Sequence, residues 1–235
     1  MHFIITNAMH SGKMRAKTKT TEHIYERLFR KYGNLGWWPA ETPEEVVIGA
    51  ILTQNTSWTN VEKSIKILKD HDLITLSNLA SAKLETIKDC IKSSGFFNQK
   101  AVRLKNVSES IISQYRSLDG MKKASDTEIS SYLLSIKGIG EETMESIMLY
   151  ALSRNMFVMD KYTYRIFQRI GFPASVSRKY LREKISDDLG GDIEKMKNYH
   201  AMLVYLGKDH CKTKPLCNGC PLTEICDFYA ESIVP

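Results

Sequence analysis

The chain has 235 residues, 43% hydrophobic and 26% charged, with a formal net charge of +6 and a pI of about 8.9. This composition belongs to a globular protein long enough for one large domain or two small lobes, and the modest basic excess permits a polyanionic partner without requiring one. No apolar run approaches the roughly 18 residues a membrane span needs, and MHFIITNAM is too short for a signal-peptide core, so an intracellular protein with no membrane partner is expected.

Residues 1–18, without periodicity, read as a flexible tail. Apolar residues then recur at intervals of three and four over 23–32, 44–52, 61–68, 99–115, 141–152, 162–170 and 196–206, which predicts a helix over each. GNLG, SSG, KGIG, GFP and GG separate these segments, and none of them alternates with the two-residue period of a strand. The expected fold class is all-α. Cys90 stands alone on a helical pattern and reads as a core residue.

Chemistry concentrates in two stretches. In LLSIKGIGEETMESIMLYALSRNMFVMDKYTYRIFQRIG, residues 133–171, Gly138 and Gly140 flank Ile139 at what reads as a hairpin between helices. Successive amides there, with the start of the helix near Glu141, can meet a phosphate oxygen without any side chain; an ordinary helix–helix turn is the alternative. In HCKTKPLCNGCPLTEIC, residues 210–226, four of the five cysteines crowd together: Cys211, Cys217, Cys220 and Cys226. Without secretory features such crowding suits a metal centre better than disulfides, and four thiolates serve zinc or a 4Fe–4S cluster equally.

With those residues in place, the chain resembles the endonuclease III-like, helix-hairpin-helix DNA glycosylases from about Glu22 to Asp227, including GAILTQNTSW at 49–58 and GFFNQKAVRL at 95–104. The resemblance implies two helical lobes, 36–153 carrying the hairpin and 19–35 plus 154–235 carrying the loop 211–226, with the substrate base entering between them. It also implies a 4Fe–4S cluster as cofactor on the four cysteines, although five residues separate Cys211 from Cys217 where the commonest family loop has six. Double-stranded DNA containing a damaged base is the implied partner, met by a monomer.

Asp160 stands where the family keeps its catalytic carboxylate, 18 residues beyond Glu142. Its charge can stabilise an oxocarbenium-like transition state or activate water, and it is also a good N-cap for the helix that follows. Glu142 fills the position at which bifunctional members have a lysine nucleophile. A carboxylate cannot form a Schiff base, so a monofunctional enzyme is expected unless Lys161 reaches the sugar; for Glu142 itself, a dipole-favoured acid in the first helical turn is the alternative. Gln54 and Asn55 resemble the polar residues that enter the duplex where the base has left, with N-capping as the plainer role. Lys100, Arg103, Lys137, Lys212 and Lys214 are candidate phosphate contacts, or simply solvated charges.

The loop GWWPAET, 36–42, adds substrate information. Trp37, Trp38 and Trp58 are all the tryptophans of the chain and fall within 22 residues. With Pro39 they suit an aromatic pocket for a flipped base, above all a cationic one, while ordinary packing is the alternative. WWP, LTQNT, Glu142 and Asp-Lys-Tyr at 160–162 together resemble the 3-methyladenine DNA glycosylase III branch. Hydrolysis of an alkylated purine such as 3-methyladenine is therefore expected. A glycosylase for uracil, mismatched thymine or an oxidised base, and a noncatalytic DNA-binding module, are the competing readings.

Overall fold

The computed structural model describes residues 19–233, so the tail expected over 1–18 lies outside the described residues. Every regular element among them is helical, in agreement with the all-α expectation. The helices are α1 (Thr21–Tyr32), α2 (Pro43–Leu52), α3 (Trp58–Asp70), α4 (Leu76–Ser81), α5 (Leu84–Cys90), α6 (Phe97–Tyr115), α7 (Leu118–Met121), α8 (Asp126–Ser135), α9 (Glu141–Ser146), α10 (Lys161–Ile170), α11 (Arg178–Asp188), α12 (Ile193–Asp209) and α13 (Asp227–Ser232).

Local chemistry sets their starts. Thr42 accepts the Glu45 amide ahead of Pro43, whose missing N–H costs nothing in the first turn. Ser125 and Glu128 form a reciprocal capping box on α8, and Asp192 accepts the Lys195 amide to open α12. The segment 141–152, which the periodicity predicts as one α-helix, is α-helical only to Ser146 and continues as a π-helical turn over Ile147–Ala151. Such widened turns recur at functional sites because they re-aim side chains.

Two helices organise the interior. α2 is buried from Glu45 to Leu52 and packs on α3, α6, α9 and the π-helical turn. α12 is buried over most of its length and packs on α1, α10 and the same turn. The turn therefore stands between the two central helices, with Tyr150 buried upon it. α11 escaped the periodicity because RKYLREKISDD buries only Leu181, Ile185 and Ser186.

Candidate active site

Asp160 is 7% exposed and is the N-cap of α10, its Oδ1 accepting the Thr163 amide at 2.7 Å. Capping occupies one oxygen and fixes the carboxylate, so a cap and a catalytic group are compatible in this one residue. The other oxygen, Oδ2, lies 3.9 Å from His200 Nε2. Immediately before Asp160 in the chain, Met159 donates its N–H to Glu145 Oε2 at 2.9 Å. Glu145 is fully buried and paired with Arg178 (2.9 Å) and Arg182 (3.0 Å), so α9 is tied to the start of α11 and, through Met159, to the residue before Asp160.

Glu142, one turn earlier on α9, keeps an exposed surface yet has enough protein around it that lost hydration, and then the Asp160 charge, hold its carboxyl above the ordinary glutamate range. Arg178 and Lys161 oppose the shift. Lys161 is exposed, its ammonium 5.4 Å from the Tyr162 ring centroid.

The tryptophans meet one another. Trp38 and Trp58 are edge-on at 5.4 Å, Trp37 contacts both at 6.0 Å, and Trp38 reaches Tyr150 at 5.2 Å. Gly49 permits this: a Cβ there would stand 3.3 Å from Trp38 Nε1 and 3.5 Å from Trp58 Cη2. Tyr150 OH is 2.7 Å from His200 Nδ1. An aromatic wall thus runs unbroken from Trp58 through Trp38 and Tyr150 to His200, beside Asp160. Pro39 is exposed at the end of the Trp loop. Asn198, two residues before His200 on α12, accepts the Leu35 amide and donates to the Gly33 carbonyl, which fixes the approach to that loop.

The hairpin follows α8. Ile139 is buried, Lys137 exposed, and Gly138 has φ +101°, a conformation that favours glycine. A Cβ on Gly138 would come within 2.7 Å of Arg103 Cγ. At Gly140 φ is −98° and nothing lies within 4 Å of a Cβ, so the fold itself does not require glycine there. Gln54 is tied to this hairpin, its Nε2 donating to Thr143 Oγ1 at 3.0 Å while Arg103 donates to its Oε1. Asn55 is exposed in a left-handed conformation, φ +56°.

Lys100 is corrected by the structure. It is 1% exposed, and its Nζ donates to the carbonyls of Leu52 (2.8 Å) and Ser94 (2.6 Å). Burial, followed by the Arg103 charge, pulls its pKa down to about 8. It ties the end of α2 to the turn before α6 and cannot meet a phosphate. Phe96, within GFFNQKAVRL, is 65% exposed in a left-handed conformation at the start of α6.

The cysteine loop follows α12 and is braced by α10. Arg165 Nε donates to the Cys211 carbonyl at 2.8 Å, Arg169 Nη1 lies 3.3 Å from Cys211 Sγ, and Cys226 Sγ–H donates to the Arg169 carbonyl at 3.2 Å. Burial raises the Cys220 thiol to about 11, with Cys211, Cys226 and Cys217 adding to the rise. All four cysteines of the loop are free thiols. Among the described residues no three His, Cys, Asp or Glu side chains gather tightly enough to hold a single metal ion. Lys212 and Lys214 are exposed on the loop.

A model of the HhH-GPD superfamily of base excision DNA repair proteins matches residues 48–189. The provisionally named DNA repair glycosylase MJ1434 of Methanocaldococcus jannaschii is 46% identical over 207 residues, 86% of this chain and 94% of that protein. Endonuclease III of Thermotoga maritima is 29% identical, covering 80% of this chain and 84% of its own. Among solved structures, the H. pylori 3-methyladenine DNA glycosylase MagIII bound to 1,N6-ethenoadenine aligns with a TM-score of 0.70 and 27% identity, covering 80% of this chain and 97% of that one. An endonuclease III–DNA complex shares the fold at a TM-score of 0.74 and 19% identity, covering 92% and 99%. The chain belongs to the HhH-GPD superfamily, with an endonuclease III-like helix-hairpin-helix fold. Its activity is that of a DNA N-glycosylase, which cuts the bond between a base and its sugar.

Proposed function

We propose that this glycosylase is monofunctional and removes an N-alkylated purine such as 3-methyladenine from duplex DNA. The observation that carries the reading is the wall of Trp58, Trp38 and Tyr150 ending beside Asp160, with a carboxylate rather than an amine at position 142. A flipped base needs a stacking face, and a cationic base gains further from the ring quadrupoles. An alkylated purine already carries positive charge and leaves without a general acid. One carboxylate then suffices: Asp160 stabilises the developing sugar cation and orients the water that attacks it. The likeness to a glycosylase whose solved complex holds 1,N6-ethenoadenine supports a purine pocket.

In this reading the lobes 36–153 and 19–35 plus 154–235 flank the base, and a monomer binds DNA through the hairpin amides, Lys137, Lys212 and Lys214. Gln54 and Asn55 face the gap left by the base. The donor set Cys211, Cys217, Cys220 and Cys226 fits a 4Fe–4S cluster in kind, and such a cluster would order a loop too short to build its own core. Its place is structural, with Arg165 and Arg169 transmitting that order to α10.

Release of free base from methylated, deaminated and oxidised duplexes decides the substrate. Fast release from the methylated duplex alone is expected, with at least one of Trp37→Ala, Trp38→Ala and Trp58→Ala losing it while keeping affinity for undamaged DNA. Preferential release of uracil, or a covalent complex trapped by borohydride through Lys161, would replace this reading.

A further inference from the structure

Building on the catalytic role given to Asp160, we propose that His200 is a positioning residue that donates its Nε2–H to Asp160 Oδ2, with Tyr150 fixing the tautomer that can do so. His200 is 5% exposed, and its Nε2 is a buried polar atom without a hydrogen-bond partner. Leaving such an atom unpaired is unfavourable, and Asp160 Oδ2 lies 3.9 Å from it. That separation is longer than a hydrogen bond, so the two side chains must draw together by about 1 Å to form it in the free protein.

The ring has two neutral tautomers, and its neighbours choose between them. If Nδ1 carries the proton it donates to Tyr150 OH, Tyr150 donates to the Lys197 carbonyl at 3.2 Å, and a lone pair on Nε2 confronts the Asp160 carboxylate. If Nε2 carries the proton, Tyr150 donates to Nδ1 across the shorter 2.7 Å contact and an N–H meets the carboxylate. An ionised Asp160 selects the second arrangement. Burial keeps the ring neutral, since lost hydration lowers the His200 pKa despite the opposing pull of Asp160. Burial, and then the Asp160 charge, likewise keep Tyr150 protonated. With Thr163 N–H on Oδ1 and His200 on Oδ2, both carboxylate oxygens are held.

The charged groups acting on this cluster are Glu142 and Glu145 from α9, Glu194 from α12, and Arg178 and Lys161, of which Glu145, Arg178 and Lys161 act on Glu142. None of them replaces an N–H at Oδ2. The π-helical turn bears on the arrangement too, because Tyr150 stands on it between α2 and α12.

The test follows the Asp160 carboxyl by NMR in selectively labelled free protein, which needs no assumption about substrate. Single-turnover base release from duplex DNA methylated in vitro is measured across the same pH range. His200→Leu is expected to raise the Asp160 titration by about one pH unit or more and to move the acid limb of base release with it. Tyr150→Phe should give a smaller shift in the same direction. His200→Gln, whose amide can still donate, should restore the wild-type titration. An unchanged Asp160 titration in folded His200→Leu, or in Tyr150→Phe should the leucine variant not fold, overturns the proposal, as does a His200→Gln shift equal to that of His200→Leu. Full activity of Asp160→Asn would instead sink the catalytic assignment itself, while the NMR titration would still decide whether His200 and Asp160 are in contact.

Discussion

The side chain of Arg103 occupies the space where a side chain on Gly138 would stand. Because Arg103 also donates to Gln54, and Gln54 to Thr143 at the start of α9, the hairpin rests on α6 through a side-chain frame and not on backbone contacts alone. The two glycines of the hairpin consequently differ. Gly138→Ala must displace Arg103 and adopt φ near +101°, so a stability loss of about 1–3 kcal/mol is expected. Gly140→Ala meets nothing in the free protein and should melt like the wild type, while a methyl there still obstructs close approach of a phosphate. Thermal melts and DNA affinities of both variants check this; normal affinity of Gly140→Ala for DNA removes the backbone approach at that position.

The lysines divide in the same way. Lys137→Ala should lower the salt slope of DNA binding by about 0.9, whereas Lys100→Met should leave it unchanged, because the Lys100 ammonium is sealed between two carbonyls. A pH signature accompanies the burial. The folded pKa of Lys100, about 8, lies below its ordinary 10.5, so between those values the unfolded chain binds the extra proton. The cost of burying the charge is full below pH 8 and fades towards pH 10.5. Wild-type stability relative to Lys100→Met should therefore rise with pH across that window in denaturant melts.

Glu142 offers a sharper contrast. Its raised pKa means that its ionised form works against the fold at neutral pH, since the folded state binds the proton more readily than the unfolded one. Glu142→Gln should melt higher than the wild type at pH 7, and the difference should shrink as pH falls and the wild-type carboxyl takes up its proton. Glu142→Lys places an amine at the position of the family nucleophile, and borohydride should then trap a covalent DNA complex that the wild type does not give. Trapping by the wild type at the same level would transfer the nucleophile to Lys161.

What the sequence discloses depends on how local the physics is. Asp160 opening a helix, the glycines of the hairpin and the run of cysteines are each visible because a few neighbouring residues carry the signal. Lys100 reads as an ordinary surface lysine, and only its distant partner Leu52, together with Ser94, reveals that it is buried. His200 hides in the apolar face of α12 for the same reason, its partners Tyr150 and Asp160 lying 50 and 40 residues earlier. The widened turn at Ile147–Ala151 keeps an apolar composition that periodicity cannot tell from an α-helix. Arg178 and Arg182 likewise look like solvated charges until Glu145 is found buried against them.

The cysteine loop supplies the last prediction. Arg165 and Arg169 lie on α10, the helix that Asp160 caps, and both donate to backbone carbonyls of the loop. Order in the loop and order at Asp160 are thus joined by one short helix. Without a metal centre, four neighbouring thiols in a half-buried loop contribute little cohesion, and burial holds Cys220 and Cys226 in the neutral form. Protein prepared without oxygen should carry about four irons and four sulfides per chain, the composition of a 4Fe–4S cluster. Cys217→Ser should lose iron, melt lower and bind DNA less tightly, because Lys212 and Lys214 lose their fixed presentation. Its single-turnover rate at saturating protein should fall far less than that of Asp160→Asn, since the reacting atoms are untouched. Stoichiometric zinc without sulfide would overturn the cluster while keeping the four-thiolate site. An equal collapse of the chemical step in Cys217→Ser would mean that α10 transmits more than support.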